Sequence, residues 1–165
     1  SMAVTLLVTG GTRSGKSNFA EERVRDFGQH LGKSLVYIAT AEAFDEEMAA
    51  RIVRHQRRRG PEWHTVHAPL DLVQAVTQTD GKGPCVIDCL TLWLSNLMLA
   101  GQDTKIAADA LVASLASRAD PVILVTNEVG SGIVPENALA RRFRDESGLL
   151  NQIFAKAVDE VYVCM

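Results

Sequence analysis

Residues 5–24 read TLLVTGGTRSGKSNFAEERV. An apolar, β-branched run leads into a glycine-rich turn, and an amphipathic run leads out of it. Gly10, Gly11, Thr12, Arg13, Ser14, Gly15, Lys16 and Ser17 fit the pattern G-x-x-x-x-G-K-[ST]. Average residue usage produces that pattern by chance in about one in a hundred chains of this length or fewer. A strand before it and a helix after it are what a phosphate-binding loop (P-loop) requires. Small residues let backbone N–H groups converge on phosphate oxygens, and the helix N-terminus adds its positive dipole end. Lys16 can reach the β- and γ-phosphates, and the Ser17 hydroxyl can ligate Mg²⁺. The alternative is a glycine-rich turn that only caps a helix.

Working outward, apolar runs recur at residues 4–9, 35–40, 85–89, 122–126 and 161–164. They do not alternate with polar residues, which predicts strands buried on both faces. Residues 63–66 predict a short extra strand at a sheet edge. Between the runs lies helical spacing: Ala20, Val24, Phe27 and Leu31; Met48, Ile52, His55 and Arg59; Leu72, Val73 and Val76 after Pro69; Ile106, Ala110, Ala113 and Leu115. Pro69 suits a first helical turn. Strands alternating with helices predict an α/β fold with a mostly parallel sheet flanked by helices. The stretch AGQDT at residues 100–104 reads as a loop, so one domain is expected over residues 3–165. Ser1 and Met2 are expected to be an expression scar.

Composition narrows the function classes. The 165 residues are 47% hydrophobic and 22% charged, with a net charge of −3. No global basic field is present, so nucleic acid is not the expected partner. The longest apolar run, residues 90–100, is broken by Ser95 and Asn96, so no membrane span is expected. Cys85, Cys89 and Cys164 all fall in apolar runs and read as buried reduced thiols of a cytoplasmic protein. Cys85 and Cys89 have no second ligand pair nearby, so a zinc site is not expected.

A nucleotide loop needs an acidic partner for its metal. Asp88 and Glu128 end predicted strands, at the edge where parallel sheets bind ligands; each could equally be a cap or a surface carboxylate. His55 shares a predicted helix face with Met48 and Ile52, turned inward and partly desolvated. Gln56, Arg57, Arg58 and Arg59 follow it, able to grip phosphate or base edges. A core histidine beside a solvated basic face is the alternative.

The stretches LVTGGTRSGKS, YIATAEAFDEEMAARIVRHQRRR, WHTVHAPLDL, VIDCLTLWLSNLM, VTNEVGSGIVPENALARRFRDESGLLNQ and AVDEVYV cover nearly the whole chain in order. Together they resemble the bifunctional adenosylcobinamide kinase/adenosylcobinamide-phosphate guanylyltransferase family of cobalamin biosynthesis. The resemblance implies a P-loop NTPase (RecA-like) fold and two reactions. A nucleoside triphosphate (ATP or GTP) phosphorylates the corrinoid adenosylcobinamide; GTP then passes GMP to that phosphate through a covalent GMP-histidine, matched to His55. It implies nucleotide contacts from residues 10–17, Thr40, Ala41, Glu42, Gln56, Arg57, Arg58, Arg59 and Asp88. Lys16 and His55 would be catalytic; Ser17, Asp88 and Glu128 would hold Mg²⁺. A homotrimer is implied, as is a tail beyond the last strand that the sequence to Met165 does not include. One position departs from the family pattern: W-x-T-x-E-x-P is here WHTVHAP, with His67 at a candidate nucleotide contact. A carboxylate can accept both guanine N–H groups and a neutral imidazole one, so weaker base selectivity is implied if that position reads the base. Two other readings remain: a simple P-loop kinase for a small alcohol, and a nucleotide-dependent switch using NEVGSGIVPE as its loop.

Overall fold

A computed structural model describes residues 4–128 and 137–165. Six strands form one sheet: β1 (Thr5–Gly10), β2 (Leu35–Ala39), β3 (Trp63–His67), β4 (Cys85–Asp88), β5 (Val122–Asn127) and β6 (Glu160–Cys164). Their order is β3-β2-β4-β5-β1-β6 and every neighbouring pair is parallel. All carboxyl ends therefore share one edge. The short strand expected at residues 63–66 is β3, at the end of the sheet. The helices are α1 (Lys16–Leu31), α2 (Glu46–Arg59), α3 (Leu72–Thr79), α4 (Leu90–Leu99), α5 (Thr104–Ala116) and α6 (Ala138–Ala157).

Two apolar layers sandwich the sheet, because successive strand residues point to opposite faces. Leu7, Val36, Ile38 and Ile87 pack under α3 to α6 with Leu72, Leu94, Leu111 and Phe154. Leu6, Val8, Tyr37 and Val86 pack on the other side against Ala20 and Val24 of α1. This accounts for the continuous apolar runs in β1, β2, β4 and β5.

Several expectations need correction. In α5 the buried residues are Ala108, Leu111 and Leu115, while Ile106 is 69% exposed; i, i+3, i+7 spacing sets the face, not the run through Ile106. Pro69 precedes α3 by three residues, and the cap position is Asp71. Cys164 is only partly buried; Cys85 and Cys89 are buried. The run at residues 90–100 is α4, whose Asn96 is buried and donates to the carbonyls of Thr40 at 2.9 Å and Pro69 at 3.0 Å. Among the described residues no helix is long and apolar enough to cross a membrane. The helix α6 goes beyond the segments marked by spacing; its buried residues are only Ser147, Leu150 and Phe154 in 20.

The edge opposite the strand carboxyl ends is tied by Arg118, which is 2% exposed. Its guanidinium donates to Val76 O, to Thr79 Oγ1 at 3.0 Å, to Gly83 O at 3.0 Å and to Asp120 O at 3.3 Å. Buried Asp120 meets Lys33 Nζ at 2.6 Å and accepts from Gly81 N at 2.8 Å. Arg118→Leu strands several buried carbonyls. It is expected to cost about 3 kcal/mol or more, a fall in Tm of roughly 6–12 °C for a chain this size. Nucleotide binding to the remaining folded protein should be unchanged. Thermal unfolding checks this, and a loss below about 1 kcal/mol would contradict it.

Candidate functional site

The loop after β1 is held by sterics. A Cβ on Gly10 would lie 2.5 Å from Ser14 Oγ and 2.7 Å from Cys164 O, so β6 and the loop both close on a bare backbone. Gly15 occupies the N-cap of α1 with φ 80° and no side-chain cap, a conformation that favours glycine. The first N–H groups of α1 thus face outward with no side chain over them, the arrangement that suits an anion. Arg13 also takes a left-handed φ of 63°. Lys16 is 9% exposed and its Nζ donates to Gly11 O at 3.0 Å, across its own loop. Glu128 follows β5, and its backbone N–H donates to Gly10 O at 3.0 Å, placing it beside the loop strand.

A cleft opens next to this loop on the carboxyl edge. It is lined by Ala41, Ile52, His55, Arg59, His67 and Asp88, with Tyr37, Ala39, Cys89 and Leu92. Asp88 closes β4 and His67 closes β3. His55 and Arg59 come from α2, one turn apart. That helix is written for its position: Asp45 caps it by accepting from Met48 N at 2.7 Å, Glu46 and Glu47 occupy the first turn, and Arg57, Arg58 and Arg59 the last. Charges in that order suit the helix dipole.

Electrostatics connect the cleft to the loop. Burial pushes the Cys89 thiol up to about 11; Asp88 adds to this, while the backbone amides of Leu92 and Thr91 and the Lys16 ammonium act against it. Burial and the Asp88 carboxylate also push the Tyr37 phenol up, and its hydroxyl donates to Asp88 Oδ2. Thiol and phenol thus stay protonated at neutral pH, which leaves the imidazoles of His55 and His67 as the candidate nucleophiles of the cleft walls. Glu21 of α1 is raised by burial, with Arg59 and Arg25 pulling its carboxyl down and Asp88 pushing it up.

The structure does not bring every expected residue here. His55 is exposed and α2 buries none of its residues, so the inward, desolvated placement is corrected: the helix lies over the cleft without a packed seam. Gln56 and Arg57 line a separate depression with Val53, Gly60, Pro61 and Trp63. Arg58 is exposed and outside both. At 100° per residue only Arg59, at i+4, returns to the His55 face. Thr40 is buried with every polar group engaged. Its Oγ1 donates to Cys89 O at 2.8 Å and accepts from Cys89 N at 2.8 Å; its N–H binds Asp88 O and its carbonyl accepts from Asn96. It staples β2 to β4 and has no donor left for a nucleotide. Thr12 and Glu42 are exposed outside the cleft lining. Of NEVGSGIVPE, residues 129–136 lie outside the described residues.

Among the described residues, Arg59 Nε is buried without a hydrogen-bond partner, and the guanidinium lies over the Tyr37 ring, Cζ 3.4 Å from its centroid. Spacing alone missed Tyr37, Cys89 and Leu92 as cleft residues; Tyr37 was legible only as one more apolar strand position. An apolar groove between α5 and α6, lined by Ala108, Leu149 and Ile153, is larger but contains none of the loop or cleft residues.

Residues 6–165 match the family model described as cobinamide kinase / cobinamide phosphate guanyltransferase. The bifunctional adenosylcobalamin biosynthesis protein CobP of Pseudomonas aeruginosa is 40% identical over 94% of this chain and 89% of its own length. The protein named bifunctional adenosylcobalamin biosynthesis protein CobU of Salmonella typhimurium is also 40% identical, over 96% of this chain and 93% of its own. A KaiC-like protein from Pyrococcus horikoshii superposes with a TM-score of 0.59 at 17% identity, covering 97% of this chain and 70% of that one. That likeness shows the fold, a RecA-like P-loop NTPase.

Proposed function

Because the chain belongs to the cobinamide kinase / cobinamide phosphate guanyltransferase family, we propose that its cleft runs both transfers on a corrinoid, with His55 as the GMP acceptor. The observation that carries this is the meeting of His55, Arg59, His67 and Asp88 in one cleft at the carboxyl ends of a parallel sheet, the same edge from which the phosphate loop leaves β1. In the kinase step the corrinoid hydroxyl oxygen attacks the γ-phosphorus of ATP or GTP, the bond from that phosphorus to the bridging oxygen breaks, nucleoside diphosphate leaves and the hydroxyl proton passes to water. In the second step a ring nitrogen of His55 attacks the α-phosphorus of GTP. The P–N bond forms as the bond to the β-phosphate oxygen breaks, and pyrophosphate leaves. The corrinoid phosphate oxygen then attacks the same phosphorus, the P–N bond breaks and neutral imidazole returns.

Lys16 and the N-terminus of α1 bind the triphosphate through the loop of Gly10, Gly11, Thr12, Arg13, Ser14, Gly15 and Ser17. Arg59, in the cleft lining, offers its guanidinium charge to the phosphates. Ser17 and Asp88 give an oxygen-only donor pair that fits Mg²⁺, which takes one or two protein ligands beside substrate phosphates; Glu128, whose backbone N–H donates to Gly10 O, is the third candidate ligand. Among the described residues no cluster of three or more His, Cys, Asp and Glu converges for a metal. Bound Mg²⁺ would neutralise triphosphate charge. The protein works as one domain over residues 3–165, in the cytoplasm and as a homotrimer. A net charge of −3 supports no nucleic-acid partner.

Label transfer tests the reading. With adenosylcobinamide, γ-labelled nucleotide and then α-labelled GTP should both mark the corrinoid. Label from the γ-position alone would reduce the protein to a kinase.

His67 lies at the end of β3 on the cleft wall. His67→Glu is expected to sharpen preference for GTP over ATP by about fivefold, the worth of one added hydrogen bond near 1 kcal/mol. Competition binding checks this; equal discrimination by both proteins would remove His67 from base reading.

A further inference from the structure

Tyr37 stands where the two halves of the cleft meet, and the transfer chemistry above gives it no task. Its ring is 7% exposed on β2. In the parallel register Tyr37 lies opposite Val86, and Asp88 is two residues further along β4. Both side chains thus share one face of the sheet, and the phenol reaches diagonally to Asp88 Oδ2. The ring face has a second partner: Arg59 Cζ lies 3.4 Å from its centroid, and Trp63 meets the ring edge-on at 6.0 Å. Arg59 is the last residue of α2, one turn beyond His55. That helix buries no residue of its own, so a stacked guanidinium is a large part of what seats it. Arg59 also donates from Nη2 to Thr65 Oγ1 at a long 3.5 Å.

From this geometry we infer that Tyr37 is a positioning residue with two separable tasks. Its hydroxyl holds one oxygen of Asp88 and leaves Oδ1 for the nucleotide-bound cation. Its ring seats Arg59, and through it the turn of α2 that presents His55. The inference rests on the reading of Asp88 as the nucleotide-side carboxylate and of His55 as the GMP acceptor. Phenylalanine keeps the second task and loses the first, whereas leucine loses both.

The test uses Tyr37→Phe and Tyr37→Leu in the full chain. One readout is binding of a non-hydrolysable GTP analogue as Mg²⁺ is titrated; the other is the rate of GMP-adduct formation by intact mass. For Tyr37→Phe the Mg²⁺ needed for half-maximal analogue binding should rise about tenfold, as for a lost hydrogen bond to a charged group. Its adduct formation should recover as Mg²⁺ is raised. For Tyr37→Leu adduct formation should stay down about tenfold or more at saturating Mg²⁺, since a misplaced nucleophile is not rescued by metal. A merely structural ring would lower the melting temperature and leave the Mg²⁺ midpoint of the Phe variant unmoved, which overturns the hydroxyl task. A Leu variant rescued as fully as the Phe variant overturns the ring task. If Tyr37→Leu does not fold, Arg59→Met keeps the ring, removes the stacked cation and should show the same unrescued loss. If wild type forms no adduct at His55, that reading and the ring task fall together, while the Mg²⁺ midpoint of Tyr37→Phe still decides the hydroxyl task.

Discussion

Lys16→Ala is expected to abolish kinase and guanylyl transfer together, by at least about 10²–10³-fold each, while the protein stays folded. One preorganised donor to developing phosphate charge is worth that much in rate. The joint loss follows from position. Lys16 stands at the first turn of α1 and its Nζ crosses to Gly11 O, inside the phosphate loop. In the proposed mechanism one lysine serves triphosphate in both reactions. Its removal takes one part-buried hydrogen bond from the loop and leaves both apolar layers intact, so the melting temperature should move by only a few degrees. Separate assays of the two transfers check this. Wild-type turnover in either one would mean two independent nucleotide sites.

His55→Asn is expected to split the two activities. Guanylyl transfer should fall below detection, because an amide forms no phosphoramidate. Kinase activity should stay within about tenfold of wild type, since γ-phosphoryl transfer to an alcohol needs no covalent histidine. Exposure of His55 favours a clean result: no core contact is lost with the imidazole. Cys89 and Tyr37, both held protonated, are poor substitutes as nucleophiles. His67 is the residue that could replace it, since it shares the cleft. Residual GMP adduct in the Asn variant would therefore point to His67, and loss of the kinase step as well would mean that His55 serves triphosphate binding in both reactions.

What could be read in the sequence follows from how local each feature is. The phosphate loop is local: eight consecutive residues set backbone conformation, helix start and charge, so its place between β1 and α1 was legible. The parallel sheet was legible because strands buried on both faces cannot alternate polar and apolar residues. The cleft is not local. His55, His67 and Asp88 lie on three elements and meet only because β3, β2 and β4 are neighbours in the sheet. The direction His55 faces was misjudged for a related reason. Met48 and Ile52 mark an apolar stripe, but such a stripe does not say whether anything packs against it, and here α2 stays unburied. Adjacency in sequence also joined Gln56 and Arg57 to the site, where the helical turn carries them around to another depression. Thr40 was matched by family pattern, yet its hydrogen bonds show it holding β2 to β4.

The central claim is that His55 becomes covalently guanylylated. Intact mass of the protein after incubation with GTP and Mg²⁺, without a corrinoid, tests it most directly. The account predicts a gain of one GMP per chain, labile in acid and stable in base, mapped to His55 and passed on when the corrinoid phosphate is added. An unmodified mass under conditions where the corrinoid phosphate is guanylylated would contradict it and make the transfer direct.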